Sequence, residues 1–468
     1  MEEFDLIIVG SGAGTHVASV ASKEGLKVAL VDQGPAGGVC LNNGCVPSKM
    51  LIYPADVIRI LQRAKDIGVD ARINKIDFQK IMRRMHSVVK KNRRQLERSI
   101  KAKENITFYR NSGEFIGNYK LQVGNKTLTG PKIVIATGAR PLVPPIPGLK
   151  EAGYLDNVSL LNLEEPPRSL IIIGGGLVAC EYGHFFSAMG TKVTIVGRSP
   201  RILKNEDPEV SRIVNEVLSK FMKVYTNHET IKVDLKGGRK AVSAHNRIND
   251  RIYEFQSDEI LLAAGRHSNS DVLKPEITGV ETDKHGWIKV NEHLETTKKD
   301  IWALGDAVGK GMFRHTASYE SDIVIHNMLH AKKLGDRIKV DFHSVPHAVF
   351  TNPQVAGVGL KESEAIDAGY KVLVGRAKHT DVAKGVAMAE KHGFAKVVVE
   401  EKTGKILGCS VVGAGASELI QQVVYLMNTD RQNLEPLKRS QIIHPTLNEV
   451  LAHAFGSLKR PSSLSFRS

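Results

Sequence analysis

Cysteine is nearly missing from this chain: 468 residues hold four, Cys40, Cys45, Cys180 and Cys409. So low a count argues for a reducing compartment and against a scaffold stapled by disulfides. No apolar run approaches the roughly 20 residues that a membrane helix needs, which excludes a spanning role. The start, Met1-Glu2-Glu3-Phe4-Asp5, lacks the basic residues and apolar stretch of a secretory signal. A cytoplasmic protein is therefore expected. Aromatic residues are also scarce, and none interleaves the densest basic run, residues 83–103. Base stacking along that run is not expected, so nucleic acid is not the expected partner. No metal site is expected.

What is present points elsewhere. Lysine and arginine exceed the acids, giving a net charge of +15. The run holds Arg83, Arg84, Lys90, Lys91, Arg93, Arg94, Arg98, Lys101 and Lys103 beside apolar Ile81, Met85, Val88 and Val89. At helical spacing this is a solvated face over a buried one. An anionic cofactor or an acidic partner domain accounts equally well for a positive field. The length exceeds what one core can organise, so several domains are expected.

Two of the four cysteines lie five positions apart in Gly37-Gly38-Val39-Cys40-Leu41-Asn42-Asn43-Gly44-Cys45-Val46-Pro47-Ser48-Lys49. A structural staple is the plain alternative, but the setting favours redox chemistry. The pair follows a unit that reads strand, glycine turn, helix, strand: an apolar run to Val9, then Gly10-Ser11-Gly12-Ala13-Gly14-Thr15, then residues 27–32 ending at Asp32. This is a dinucleotide fingerprint in its required context. Gly10 makes the turn, and Gly12 lets backbone approach pyrophosphate at a helix N-terminus. Asp32 can accept from ribose hydroxyls. Thr15 stands where a third glycine is usual.

The pattern recurs at residues 169–196, with Gly174-Gly175-Gly176-Leu177-Val178-Ala179 as the turn. Two fingerprints mean two nucleotide sites. The second copy ends at Gly197-Arg198, without an acid, and Arg201 and Lys204 follow. A carboxylate there would repel a 2′-phosphate, whereas arginine binds one. Arg198, Lys204 and Ala179 favour NADP(H) over NAD(H). Beyond residue 345 the texture changes to alternating strands, 395–399 and 406–412, then helices at 417–427 and 447–455. This is expected to be a separate α+β domain, with a disordered tail at 459–468. Cys180 and Cys409 are expected to be buried small hydrophobes.

These landmarks, with Ala136-Thr137-Gly138, Ala264-Gly265-Arg266, Ala303-Leu304-Gly305-Asp306, Phe350-Thr351 and His444-Pro445-Thr446-Leu447-Asn448-Glu449, resemble the class I pyridine nucleotide–disulfide oxidoreductases. Dihydrolipoyl dehydrogenase, glutathione reductase, mycothione reductase and mercuric reductase belong to that family. The resemblance spans residues 4–456. It implies an α/β protein with two Rossmann-like domains, for FAD and NAD(P), and a C-terminal α+β dimerisation domain. The implied bounds are 1–147 and 270–341 for FAD, 148–269 for NAD(P), and 342–458 for dimerisation. FAD would lie on Gly10, Gly12, Gly14, Asp32, Gly38, Lys49, Thr137, Gly138 and Asp306. The nicotinamide coenzyme would lie on Gly174, Gly176, Ala179, Arg198, Lys204, Gly265 and Arg266. By the same resemblance Cys45 faces the flavin, Cys40 exchanges with substrate, and Lys49 pairs with Glu181. His444, oriented by Glu449, would be the acid–base of exchange and would come from the second subunit of a homodimer.

The substrate is read less sharply. The chain resembles dihydrolipoyl dehydrogenase most, on the His444 motif and Leu177, which implies an enzyme of that type, a lipoyl substrate and a lipoyl-bearing acyltransferase core as a further partner. Ser48-Lys49-Met50-Leu51-Ile52-Tyr53, Asp381-Val382-Ala383 and residues 315–327 resemble mycothione reductase, an NADPH-driven reductase of a small disulfide. A mercuric reductase would carry a further cysteine pair near the C-terminus. An NADH oxidase or transhydrogenase would not need the intact pair Cys40/Cys45. A role chiefly as a binding subunit of a 2-oxo acid dehydrogenase complex is the alternative of another class.

Overall fold

The computed structural model describes residues 1–461. Leu6–Val9 is buried on both faces and can only be a central strand. It lies in a five-stranded parallel sheet in the order Ile301–Ala303, Lys132–Ile135, Leu6–Val9, Val28–Val31, Ile106–Tyr109. The late strand Ile301–Ala303 thus returns beside an early one. The helix Gly14–Lys23 covers one face and buries Val17, Ala18 and Ala21.

The second fingerprint builds a smaller copy. Four parallel strands run Lys223–Tyr225, Lys192–Val196, Ser169–Ile173, Glu259–Leu262, covered by the helix Leu177–Ala188. The two copies share one backbone device. Gly10 has φ +110°, and a Cβ there would lie 2.0 Å from the Ala136 carbonyl oxygen. Gly174 has φ +130°, and its Cβ would lie 2.2 Å from that of Ala263. Each turn closes onto the neighbouring strand's end, where no side chain fits.

The C-terminal unit is an antiparallel sheet in the order Pro346–Val349, Val355–Gly359, Ile406–Val412, Phe394–Glu400, Val372–Lys378. The helices Ala416–Met427 and Asn448–Gly456 pack on it. The α/β class, with two Rossmann-like units and a C-terminal α+β unit, is the one expected.

The basic run forms the helix Phe78–Lys101, which buries Met82, Met85 and Val89 and exposes most of its cations. The tail needs correction. Lys459 exchanges two backbone hydrogen bonds with Val374, at 2.8 and 3.1 Å, and Arg460 pairs with Glu401 at 2.6 Å. A sheet edge and an ion pair therefore order its first residues. Residues 462–468 lie outside the described residues. Among those described, no helix is long and apolar enough to cross a membrane.

Candidate active site

Cys40 sits on a short helix, Gly38–Asn42, entered through Gly37 at φ +104°. After Asn43 and Gly44 the chain starts the long helix Cys45–Arg63. Cys45 thus stands at a helix N-terminus, where peptide dipoles favour an anion. Both thiols are free. Hydrogen bonding by Cys40, aided by the Lys49 charge, is what brings the Cys45 thiol down to about 7 against the cost of burial. Cys40 is pushed the other way, first by the same bond and then by burial. Cys45 is thus the thiol that ionises first, and Cys40 keeps its proton. Cys180 and Cys409 are fully buried, and burial holds both thiols far above their ordinary range.

Lys49 lies one turn beyond Cys45. Its Nζ donates to both Glu181 oxygens, at 2.8 and 3.0 Å. Glu181, buried in the helix Leu177–Ala188, also accepts from the Phe350 N–H at 3.0 Å. The Lys49 ammonium sits 4.4 Å above the centre of the Phe350 ring. Each of the three units supplies one of these residues. The burial of Glu181 is compensated by a cation and an amide, which makes the trio rigid.

The remaining sites follow strand ends. Gly10, Asp32, Thr137, Gly138 and Asp306 all lie just past the carboxyl ends of neighbouring strands in the first sheet. In open parallel sheets this edge is where nucleotides bind. Asp32 Oδ2 accepts from the Ser11 N–H and hydroxyl, each at 2.7 Å, and Oδ1 from the Gly34 N–H at 2.8 Å. It therefore fixes the glycine turn as well as facing the edge. The backbones of Gly12 and Gly38 approach so closely that a Cβ on Gly38 would lie 2.8 Å from the Gly12 Cα. Gly14 is buried at the helix start under Ile8. Burial raises the Asp306 carboxyl against the pull of Arg266, whose Nε lies 3.4 Å away. Among the described residues, the buried Thr137 Oγ1, Thr316 Oγ1, Glu320 Oε1 and Asn42 Oδ1 have no hydrogen-bond partner. Buried polar atoms are normally satisfied. Unspent donors and acceptors beside a bare-backbone turn fit a polar dinucleotide such as FAD.

The second sheet repeats the layout. Gly174 and Gly176, then Gly197 and Arg198, then Gly265 and Arg266 lie past successive strand ends. Ala179 is buried in the following helix. Arg198 is exposed and leans on Glu229 at 3.6 Å, a carboxylate from 31 positions further on that its local sequence does not reveal. Lys204 is exposed, and Arg201 Nε is buried without a hydrogen-bond partner among the described residues. Arg266 turns inward, toward Asp306 and the Ala139 carbonyl. It ties the two Rossmann-like units together.

His444 Nδ1 is 2.8 Å from Glu449 Oε1, and Glu449 Oε2 accepts from the Thr446 N–H at 3.0 Å. The bond to His444, then that to Thr446, lowers the Glu449 carboxyl. The imidazole is oriented, 71% exposed, and makes no hydrogen bond to Cys40 or Cys45 of its own chain. Sequence reasoning missed two residues, and the contact that a third, Phe350 of the Phe350-Thr351 landmark, makes with Glu181. Glu320 is fully buried, pushed up to about 7 by burial, and accepts from the Gly305 N–H. Arg314, opening the helix Arg314–Ile325, lends charge that lowers both thiols. Phe350 contributes through its backbone. Phe350 stands in a landmark pair, but a backbone amide carries no signal in the residue type, and neither Glu320 nor Arg314 has a side chain that announces its role.

The chain belongs to the pyridine nucleotide-disulphide oxidoreductase family, whose sequence pattern matches residues 4–321, with the family's dimerisation domain at residues 345–455. That family depends on FAD and a pyridine nucleotide. Mycothione reductase of Mycobacterium tuberculosis is 32% identical over 98% of this chain and all of that protein. Mercuric reductase of Staphylococcus aureus is 34% identical over 89% of this chain and 76% of that protein. Dihydrolipoyl dehydrogenase of Chlamydia muridarum is 30% identical over 97% and 96%. Among solved structures, the Cu(II) complex of the HOCl-induced flavoprotein disulfide reductase RclA from Escherichia coli superposes with a TM-score of 0.86. It is 29% identical and covers 97% of this chain and 99% of that one.

Proposed function

We propose that this enzyme is a homodimeric, FAD-containing reductase that uses NADPH to reduce a low-molecular-weight disulfide through Cys40 and Cys45. The observation that carries the redox reading is the pair of free thiols, Cys40 on the short helix and Cys45 opening the long one, with Lys49 one turn on and held by Glu181. Residues 1–147 and 270–341 are read as the FAD unit, because Ile301–Ala303 joins the first sheet. Residues 148–269 are read as the coenzyme unit and 342–458 as the dimer unit.

FAD, when bound, carries two electrons between the nicotinamide and the cysteine disulfide. Gly10, Gly12 and Asp32 would hold its adenosine and phosphate end, and Asp306 its ribityl chain. The chain's own residues then do the exchange. In the dithiol state a base takes the Cys40 proton, and the Cys40 thiolate attacks one substrate sulfur. The substrate disulfide breaks, one thiolate leaves and takes a proton, and Cys40 is left in a mixed disulfide. The Cys45 thiolate attacks Cys40 Sγ, expels the second thiolate, and restores the Cys40–Cys45 disulfide. Two electrons leave the cysteine pair, and the products are one thiol and one thiolate, which takes its proton from water. Exposed His444 of a second copy, oriented by Glu449, suits the proton transfers.

Coenzyme choice rests on Arg198 with no carboxylate at Gly197. The Glu229 contact is an exposed ion pair, worth about 1 kcal/mol at most, so a phosphate can replace it. A Cβ at Gly197 would meet Gly175 and Tyr225 no closer than 3.6 Å. Gly197→Glu with Arg198→Met should therefore fold. It should shift kcat/KM for NADPH over NADH about tenfold toward NADH, as expected for exposed charge-assisted bonds. A wild-type preference for NADH that the double variant keeps would instead support the second reading, an NAD-linked dihydrolipoyl dehydrogenase, which the His444-to-Glu449 motif favours. Turnover against lipoamide, oxidised glutathione and other small disulfides decides the substrate class.

A further inference from the structure

The segment from Gly197 to the helix Pro208–Leu218 carries Arg198, Arg201 and Lys204, and it ends in acids. Glu206, Asp207 and Glu209 lie within four positions, and each finds a different base on the C-terminal unit. Glu206 Oε1 is 2.8 Å from His347 Nε2. Asp207 Oδ2 accepts from Lys396 Nζ at 2.7 Å. Glu209 Oε2 accepts from Arg376 Nε at 3.0 Å. Lys396 is 5% exposed and also pairs with Glu362 at 2.8 Å, which Arg376 reaches at 3.2 Å. Asp207 and Glu362 are buried with it. A buried lysine between two buried carboxylates holds them firmly, because losing it leaves two like charges out of water. His347 is seated by shape as well. It faces Gly357 on the neighbouring strand, where a Cβ would strike its ring at 2.6 Å.

The clamp reaches the coenzyme turn in two backbone steps. The Glu206 N–H donates to the Leu203 carbonyl at 2.8 Å, and the Leu203 N–H to that of Gly175 at 2.7 Å. Asp207 also caps the helix, accepting from the Glu209 N–H at 2.9 Å. The segment's acids are thus held by the C-terminal unit. Among the described residues, its exposed Lys204 makes no ion pair, and Arg198 makes only the weak one to Glu229.

We infer that Lys396 and His347 are positioning residues for the nicotinamide coenzyme, acting through Asp207 and Glu206 on the segment that presents Arg198 and Lys204. The inference rests on the reading of that segment as the 2′-phosphate site. Its role is to fix where those cations stand before NADPH arrives, so the ordering cost is not charged to binding.

The test uses the FAD-loaded dimer, with NADP⁺ affinity measured by calorimetry and kcat measured at saturating NADPH. Lys396→Met should raise the NADP⁺ Kd about tenfold and His347→Ala about threefold, with kcat within a factor of two of wild type. His347→Gln, which keeps a donor for Glu206, should recover most of the affinity. A fall in Tm with an unchanged Kd in both Lys396→Met and His347→Ala would make the clamp mere glue between units and overturn the inference. Should Lys396→Met fail to fold, His347→Ala decides alone. Arg198→Ala separates the two claims. An unchanged Kd there overturns the phosphate-site reading, and the inference with it. A raised Kd there, with normal values in the clamp variants, overturns the inference only.

Discussion

At the scale of single residues the chemistry turns on a division of labour between two thiols. Cys45 is depressed chiefly by the hydrogen bond from Cys40 and next by Lys49, while Cys40 is raised. Only the thiolate reacts with alkylating agents, so its fraction sets the rate. In the dithiol form, alkylation of Cys45 should rise with pH to half its plateau near pH 7. Cys40→Ala should move that midpoint upward, and by more than Lys49→Met does, because the lost hydrogen bond is the larger cause. A midpoint unmoved by Cys40→Ala would contradict the arrangement. The residues that form this site were legible because they share one stretch, residues 37–49, and chemistry needs their types at that spacing. Glu229 beside Arg198, Arg314 near the thiols, and the Phe350 amide on Glu181 were not legible. Each contact is brought in by tertiary packing: nothing near Glu229 or Arg314 marks it, and the Phe350-Thr351 landmark does not show that its amide meets Glu181.

At the scale of elements, the two glycine turns were legible for a steric reason. Gly10 and Gly174 take backbone angles that side chains resist, and each touches a carbonyl where a Cβ would stand. Gly176 differs. Its φ is −86°, and nothing lies within 4 Å of its would-be Cβ. Gly176→Ala should therefore keep Tm within about 1 °C, since strain and clash are both absent. It should still weaken NADP⁺, because the added methyl enters the space where pyrophosphate meets the helix N-terminus. Gly174→Ala should lower Tm by several degrees, roughly the 1–3 kcal/mol of a forced backbone plus its clash. Thermal melts and calorimetry check both. Equal melting losses would mean that the third turn residue is structural too. The strand Ile406–Val412 was legible from its apolar run. The edge pairing of Lys459 with Val374 was not, because a short basic segment reads as tail until a sheet edge with unpaired backbone groups is there to receive it.

At the scale of the whole molecule, Lys49, Glu181 and Phe350 come from three units and converge on one point. The order of the motifs along the chain made the units legible. Their mutual fixing was not, since the acids at 206, 207 and 209 look like an ordinary helix start, and only the assembled fold supplies Lys396, His347 and Arg376. The family's dimerisation domain supports a homodimer, and the exposed, oriented His444 suits a site completed by a second copy. The central claim is that electrons from a nicotinamide coenzyme arrive at Cys40 and Cys45. The direct measurement is to mix the oxidised FAD-loaded protein anaerobically with a small excess of NADPH, quench with an alkylating agent, and map the labelled cysteines by mass spectrometry. The account predicts two labels per chain, on Cys40 and Cys45, none without coenzyme, and none on buried Cys180 or Cys409. Coenzyme oxidised while the Cys40–Cys45 disulfide stays closed would contradict it.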